Sequence, residues 1–178
     1  QKEESNNKIY KNMKMLETVR VQGTVSTITR DGENTDEVTY VIYEDETQIP
    51  EIPGENIVAV SAAEYDLIVA LAKGGTVTLE ADVTLHKALT ISNDVSLNLN
   101  GKTLTGTFRE ACIKSSGNLS ISNGYITNVG GAVLTTGGTL NMTDCKVTMT
   151  GSYRENAVEI TGKTQAEITG GWYKATGT

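Results

Sequence analysis

Short segments that alternate apolar and polar residues recur between residues 76 and 176 at a nearly constant spacing. Four of them begin at Leu97, Leu119, Leu140 and Ala166, which are 22, 21 and 26 residues apart, with apolar residues at offsets 0, 2 and 7. Because alternate residues of a strand point to opposite faces, each segment predicts short strands with one apolar face. A repeat of this length indicates a solenoid, in which stacked coils bury the stripe that one coil cannot bury alone.

A second series of apolar residues runs beside the first with the same period. Its members are Ala111 and Ile113, then Ala132 and Leu134, then Val158 and Ile160, and the runs close on Gly117, Gly137 and Gly162. Two series with one period predict coils whose strands pair in parallel, about 4.8 Å apart. A β-sandwich also alternates with frequent turns, but it has no reason to keep one period in two series.

The chain before the repeat divides into three segments. Residues 1–50 predict an anchoring arm with a β-hairpin, and residues 51–60 predict a linker, since both prolines lie at or next to this segment. Residues 61–75 predict a helix that caps the first coil, because Ser61 and Glu64 form a capping box and Gly74-Gly75 ends the helical pattern. The parallel β-helix is then expected over residues 76–178.

The runs Gly74–Leu79, Leu89–Ile91 and Leu97–Gly106 resemble the opening coils of right-handed parallel β-helices of the pectin-lyase-like class. The resemblance covers about residues 74–178. It implies an all-β fold, a right-handed parallel β-helix (solenoid) with an N-terminal capping α-helix, preceded by the β-hairpin arm. The class includes polysaccharide lyases, bacterial surface proteins and bacteriophage fibres and spikes, so the resemblance also implies an extracellular or virion location without naming a function.

Charge and composition narrow the function classes. The net charge of −7 argues against a nucleic-acid-binding surface, which needs clustered Lys and Arg. No apolar run approaches about 18 residues, so membrane insertion is not expected. Cys112 and Cys145 are expected to be two free thiols, with a disulfide or a metal pair as the alternative. The single histidine, His86, falls at a predicted coil corner, and neither a metal site nor a cofactor is expected.

Candidate catalytic carboxylates do not pair in the predicted register. A glycosidase needs two carboxylates roughly 5–9.5 Å apart. Asp144 aligns with Asn123 and Gly170, and Glu167 aligns with amide and hydroxyl side chains of the other coils. We therefore expect no catalytic residues and no enzymatic activity, with a polysaccharide lyase or glycosidase as the disfavoured alternative.

One motif occurs twice, 45 residues apart: glycine, hydroxyl, aromatic, arginine, glutamate. The candidate binding residues are Phe108, Arg109 and Glu110 in the first copy and Tyr153, Arg154 and Glu155 in the second. Both copies are expected to form loops on one side of the solenoid. An aromatic ring and a guanidinium suit a partner or subunit contact or a glycan, while an Arg-Glu ladder that closes the loop is the structural alternative.

These expectations combine into a non-enzymatic structural or attachment subunit of a bacteriophage virion appendage, a head or tail fibre or a decoration protein. Its N-terminal arm would bind another structural protein, its β-helix would project outward, and it would form a homo-oligomer, a trimer. The alternative is a bacterial cell-surface or secreted glycan-binding β-helix protein.

Overall fold

A computed structural model describes residues 19–28, 34–43, 49, 57–152 and 155–177. The chain divides into two compact units, residues 1–65 and residues 66–178. The described part is mostly β, with a parallel β-solenoid of about five turns and a single helix. Residues 1–18 of the predicted arm and residues 51–56 of the predicted linker lie outside the described residues.

Three strands form the sheet of the first unit. Strand β1 (Val19–Ile28) pairs antiparallel with β2 (Asn34–Tyr43), and β2 pairs parallel with β3 (Ile57–Ser61). Val41, Ile42 and Val60 are fully buried. Strand β3 thus occupies residues 57–60 of the segment that the proline pattern assigned to a linker, so the described sheet extends beyond a two-stranded hairpin.

Helix α1 (Ala62–Lys73) begins and ends where the sequence predicts. The backbone N–H of Glu64 donates to Ser61 Oγ at 3.1 Å, which satisfies one of the open donors of the first turn. At the other end Gly74 adopts φ 83°, a left-handed conformation that glycine tolerates, and its N–H donates to the carbonyl of Ala70. Leu67 and Leu71 of this helix belong to the buried cluster of the solenoid.

The solenoid consists of three ladders of parallel strands. The first ladder contains β4 (Gly75–Thr78), β7 (Val95–Asn98), the first halves of β10 (Asn118–Asn128) and β12 (Thr139–Met149), and β14 (Gln165–Thr169). The second contains β5 (Val83–Thr84), β8 (Thr103–Thr105), the second halves of β10 and β12, and β15 (Trp172–Ala175). The third contains β6 (Leu89–Ile91), β9 (Ile113–Ser115), β11 (Val133–Thr135) and β13 (Val158–Ile160).

Alternate residues of these strands point inward and form the core, as the sequence predicts. The buried aliphatic members include Leu97, Leu104, Leu119, Ile121, Ile126, Leu140 and Val147. The registers of Leu119 with Leu140 and Ala166, and of Ile126 with Val147 and Tyr173, are those predicted from the repeat. Cys112 and Cys145 are both buried free thiols, as expected.

The predicted register of the coil at Leu97 is wrong by two residues. The pattern aligned Leu97 with Leu119, whereas in the structure Val95 pairs with Leu119 and Leu97 with Ile121. The predicted and the observed register agree again at Leu104, which pairs with Ile126. The difference lies in the corner between them, where this coil has four residues (Leu99–Lys102) and the next has two (Asn123 and Gly124). An apolar match alone could not locate those extra corner residues.

The predicted register of the second series is wrong by one residue at its middle coil and by two residues at its last coil. The pattern aligned Ile113 with Leu134 and Ile160, whereas Ile113 pairs with Val133 and Val158. A shift of one residue moves a side chain to the other face. Leu134 therefore lies on the outward face, beside Lys114, and the inward column is completed by Ser115, Thr135 and Ile160.

The prediction placed Leu134 inward because the true inward residues at this position, Ser115 and Thr135, are polar. Both side chains are at most 2% exposed, and neither hydroxyl has a hydrogen-bond partner among the described residues. A polar group that is buried without a partner costs free energy. Sequence patterns place Ser and Thr on the outside of a solenoid, so this column could not be identified from residue type.

Substitution of Thr135 by valine should stabilise the protein. The change keeps the shape of the side chain and removes the buried hydroxyl, so we expect Thr135→Val to raise the free energy of unfolding by about 1 kcal/mol. Urea denaturation monitored by circular dichroism measures the effect. Thr143→Val is the matched control, since Thr143 is an exposed strand residue, and should change stability by less than about 0.5 kcal/mol. A loss of stability in Thr135→Val would show that the hydroxyl is bonded after all.

Candidate functional site

The described residues of the repeated motif lie in loops that stack on one side of the solenoid. The first copy occupies the loop between β8 and β9, and the second lies between β12 and β13. The coil between them turns through Gly130 and Gly131. A Cβ at Gly130 would come within 1.8 Å of the carbonyl oxygen of Arg109, and one at Gly131 within 2.2 Å of the carbonyl oxygen of Asn156. The middle loop therefore lies in tight contact with both others and has room only for glycine there.

Asn128 holds the first loop in place. Its Nδ2 donates to the carbonyls of Glu110 (2.8 Å) and Gly131 (2.9 Å), and its Oδ1 accepts from the backbone N–H of Phe108 (3.2 Å). The side chain is 1% exposed. One buried amide thus bonds three backbone groups of the loops, including the Gly131 carbonyl, which also accepts from the backbone N–H of Cys112, and this fixes the loop geometry.

The structure links the two copies of the motif by an ion pair. Arg109 Nη2 lies 3.4 Å from Glu155 Oε1, with the two side chains 62% and 38% exposed. Glu110 pairs instead with Lys114. Exposed pairs of this kind contribute about 0–1 kcal/mol to stability. The geometry is that of an arginine-glutamate contact between loops, the structural alternative that the motif left open.

Of the two aromatic residues of the motif, the structure describes Phe108 but not Tyr153. Phe108 is partly buried and packs against the solenoid core, so its ring is not a freely exposed stacking surface. Tyr153 and Arg154 lie outside the described residues. Of the six predicted binding residues, the structure brings Arg109 and Glu155 together, while Phe108 packs against the core and Glu110 pairs with Lys114 on β9.

A second candidate site lies at the corner between the first and second ladders, where the repeat gave no site prediction. Asn100, Asn123 and Asp144 have φ of 53°, 61° and 52°, and Gly170 follows with 65°. These left-handed residues turn the chain at one corner in successive coils. Asn and Asp tolerate this conformation better than most residues, which explains their presence in the column.

A groove of about 380 Å³ opens at this corner. Its side chains are Asn123, Tyr125, Asp144 and Lys146. Its backbone surface is supplied by Gly101, Gly124 and Gly171. We call this feature the corner groove.

Two aromatic rings stand in one outward column beside the corner groove. Tyr125 pairs in register with Lys146, and Lys146 with Trp172. The rings are 37% and 39% exposed. Lys146 Nζ lies 5.0 Å from the centroid of the Tyr125 ring and 3.3 Å from its hydroxyl, and Lys174 Nζ lies 4.9 Å from the centroid of Trp172. The signal was present in the sequence, since all three column residues follow the start of their segment by six positions.

The other reactive side chains are placed less favourably for chemistry. His86 is exposed in the turn between β5 and β6. Burial raises the pKa of the Cys112 thiol to about 12 and that of Cys145 to about 11, so both remain protonated at neutral pH. Asp144 stacks between Asn123 and Gly170, and Glu167 pairs in register with Asn141, as the sequence predicts.

Within residues 19–28, 34–43, 49, 57–152 and 155–177, no group of three or more His, Cys, Asp or Glu side chains could hold a metal ion. In the same part of the chain, no helix has the length and apolar character needed to cross a membrane.

Comparison with known protein families, with curated proteins and with solved structures found no match for this chain. Function is therefore inferred from the residues and their geometry.

Substitution of Asn128 should destabilise the loops of the repeated motif. Asn128→Ala removes three hydrogen bonds from buried or partly buried backbone groups, so we expect the free energy of unfolding to fall by about 2–4 kcal/mol. Thermal and urea denaturation measure the loss. Asn118→Ala is the control: Asn118 is exposed and bonds Asp94 and Thr139, and its removal should cost less than about 1 kcal/mol. Equal losses in the two variants would contradict the role of Asn128.

Proposed function

We propose that the protein is a non-enzymatic structural and attachment subunit, of a bacteriophage virion appendage such as a fibre or decoration protein. It would act in the virion or at an extracellular surface. The fold that supports this is a parallel solenoid whose coils share one hydrogen-bonded register. The proposal includes the right-handed winding of the pectin-lyase-like β-helices that the sequence resembles.

The exposed terminal coil is the observation that carries the proposal. Ile160 and Ile168 are 46% and 43% exposed, although Thr135 and Met142, which precede them in the same inward columns, are fully buried. Strands β13 and β14 stand at the ends of their ladders and have a partner on one side only. Such an edge presents unpaired backbone groups together with apolar side chains. The proposed homo-oligomer would cover this edge with a neighbouring subunit, whereas a longer chain would cover it with a further coil.

Helix α1 is proposed to cover the opposite end of the solenoid. Leu67 and Leu71 are 4% and 2% exposed and belong to the same buried cluster as the strands. Asn93 Nδ2 donates to the carbonyl of Ala72 at 3.0 Å, which ties the last turn of the helix to the first coils. A solenoid needs such a cover over a terminal apolar edge. Among the described residues, one end of the solenoid thus packs against a helix of its own chain, while the strands of the last coil have a partner on one side only.

The N-terminal segment is proposed to be the anchor. Residues 1–50 would bind another structural protein, and the subunit would form a homo-oligomer, a trimer in the fibres that it resembles. The division of the chain into two compact units, residues 1–65 and residues 66–178, supports separate anchoring and projecting parts.

Association through the terminal coil can be tested by native mass spectrometry. We expect the full chain to form a trimer and Ile160→Asp/Ile168→Asp to weaken association by about tenfold or more, because two charges would replace apolar contacts, a change of at least about 1.4 kcal/mol. Val69→Asp is the control, since Val69 is 43% exposed on helix α1. A stable wild-type monomer would contradict the homo-oligomer. An oligomer that tolerates both charges would place its interface elsewhere.

Deletion of residues 1–50 tests the anchoring role. We expect the solenoid to keep its cooperative unfolding, because its core residues lie between Leu67 and Val147, while attachment to the host particle is lost. Circular dichroism and a particle-binding assay measure the two properties separately. Loss of the folded solenoid would show that the arm belongs to its core, and full attachment without the arm would refute the anchor.

A further inference from the structure

The outward face of the second ladder differs in charge from those of the other two ladders. Its strands direct threonines, two aromatic rings and two lysines away from the core, and no acidic residue. The first ladder carries Glu167 on its outward side, and the third carries Glu159 beside Leu134. We call the outward side chains of the second ladder the basic face: Thr84, Thr103, Thr105, Tyr125, Thr127, Lys146, Thr148, Trp172 and Lys174.

The two lysines of the basic face are held by its aromatic rings. Lys146 Nζ lies 5.0 Å from the centroid of the Tyr125 ring and donates to its hydroxyl, and Lys174 Nζ lies 4.9 Å from the centroid of the Trp172 ring. A ring attracts an ammonium group without using up its three N–H donors, so both lysines can still bond an anion. An ammonium group that is already positioned also loses less conformational entropy when it binds.

The charges of these lysines are not neutralised within the described part of the chain. Neither Lys146 nor Lys174 takes part in an ion pair there, whereas the outward lysine of the third ladder, Lys114, is paired with Glu110. Asp144 lines the corner groove together with Lys146, but the two do not form an ion pair. Two unpaired ammonium groups on a face without acidic residues favour an anionic partner.

The chain itself contains an acidic segment without cations. Residues 31–55 carry nine acidic residues and no Lys or Arg, and without those nine charges the net charge of −7 becomes +2. Five of the nine fall within residues 44–55, at Glu44, Asp45, Glu46, Glu51 and Glu55. Like charges at this density repel one another, and pairing with cations relieves the repulsion.

We propose that the basic face of one copy of the chain binds the acidic segment, residues 44–55, of a second copy. Lys146 and Lys174 each donate to a carboxylate of that segment, and the neighbouring threonine hydroxyls supply further donors. The proposal rests on the homo-oligomer proposed above and names a contact for it. The basic face points away from the solenoid axis, whereas the unpaired edges of β13 and β14 point along it, so the two contacts do not compete.

The spacing of the two lysines suits an extended peptide. Lys146 aligns with Trp172, which lies two residues before Lys174 on the neighbouring strand. At about 4.8 Å between strands and about 6.6 Å for two residues along a strand, the backbones at the two lysines lie about 8 Å apart. Alternate residues of an extended chain, such as Glu44 and Glu46, are about 6.6 Å apart, and the flexible lysine side chains can bridge the difference.

Peptide binding tests the contact directly. The receptor is the full chain with the five acidic residues of positions 44–55 replaced by their amides, so that the segments of other copies do not compete. We expect a dye-labelled peptide of residues 44–55 to bind saturably in a fluorescence anisotropy titration, and the same peptide with the five amides not to bind. Raising the salt from about 0.05 M to about 0.5 M should weaken binding, because exposed charges are screened.

Three results of this titration would overturn the proposal. They are the absence of saturable binding, equal binding of the two peptides, and tighter binding of a labelled oligothymidylate than of the acidic peptide. The last result would identify a nucleic acid as the partner, which the net charge of −7 disfavours.

Paired variants of the receptor locate the contact. Lys146→Gln/Lys174→Gln should weaken peptide binding by about tenfold or more. Lys87→Gln/Lys163→Gln is the matched control, because it removes two exposed lysines that lie in turns outside the strands, and should bind within about twofold of the receptor. Circular dichroism establishes that each variant is folded. Equal losses in the two variants would show that net charge is responsible, which would overturn the proposal.

Native mass spectrometry of the same lysine variants in the otherwise wild-type chain distinguishes this contact from the homo-oligomer itself. We expect Lys146→Gln/Lys174→Gln to dissociate at higher protein concentration than the wild type and the Lys87→Gln/Lys163→Gln control. An oligomer that persists unchanged in Lys146→Gln/Lys174→Gln would overturn the assignment to a second copy and leave the homo-oligomer standing. A wild-type monomer that binds the peptide would contradict the homo-oligomer and with it the second copy as the occupant.

Discussion

The register of parallel hydrogen bonds between successive coils is the constraint on which the solenoid depends. Strands β10 and β12 pair from Asn118 with Thr139 to Asn128 with Met149, through a corner, without losing alignment. Because alternate residues face opposite sides, a slip of one residue would turn a whole inward column outward. Differences in coil length must therefore be absorbed outside the ladders, in the corner at Leu99–Lys102 and in the loops that precede the third ladder.

Those loops are held by individual polar groups, since they lack the regular partners of a ladder. Asn128 bonds the backbone at Phe108, Glu110 and Gly131, and the glycines of the middle coil allow the loops to approach each other. Arg109 and Glu155 then meet across the loop between them. Contact between the two copies therefore accounts for part of the repeated motif. A partner that bound the exposed Arg109 side chain would also meet the Glu155 carboxylate beside it.

The repeat period, the helix and its ends, and the alternation of buried and exposed residues could be predicted because each follows from a local pattern. The register at Leu97 and at Leu134 could not, because apolar matching assumes that corners have equal length and that inward residues are apolar. Ser115 and Thr135 break the second assumption. The corner groove could not be predicted from the apolar repeat for a related reason. The repeat identifies inward positions only, whereas Tyr125, Lys146 and Trp172 are outward residues that share one offset from the start of their segments.

A thin solenoid divides its residues between two tasks, since inward positions serve stacking and outward positions are left for binding. Strand β15 contributes to the terminal coil and to the outward column beside the corner groove: Tyr173 continues the inward column of Val147, and Trp172 stands beside Lys146 in the outward one. A subunit that covered the terminal coil would give β15 a second hydrogen-bonded neighbour and restrain Trp172. Tyr125 and Asp144 lie on strands with partners on both sides, so their half of the groove keeps its geometry whether or not that edge is covered.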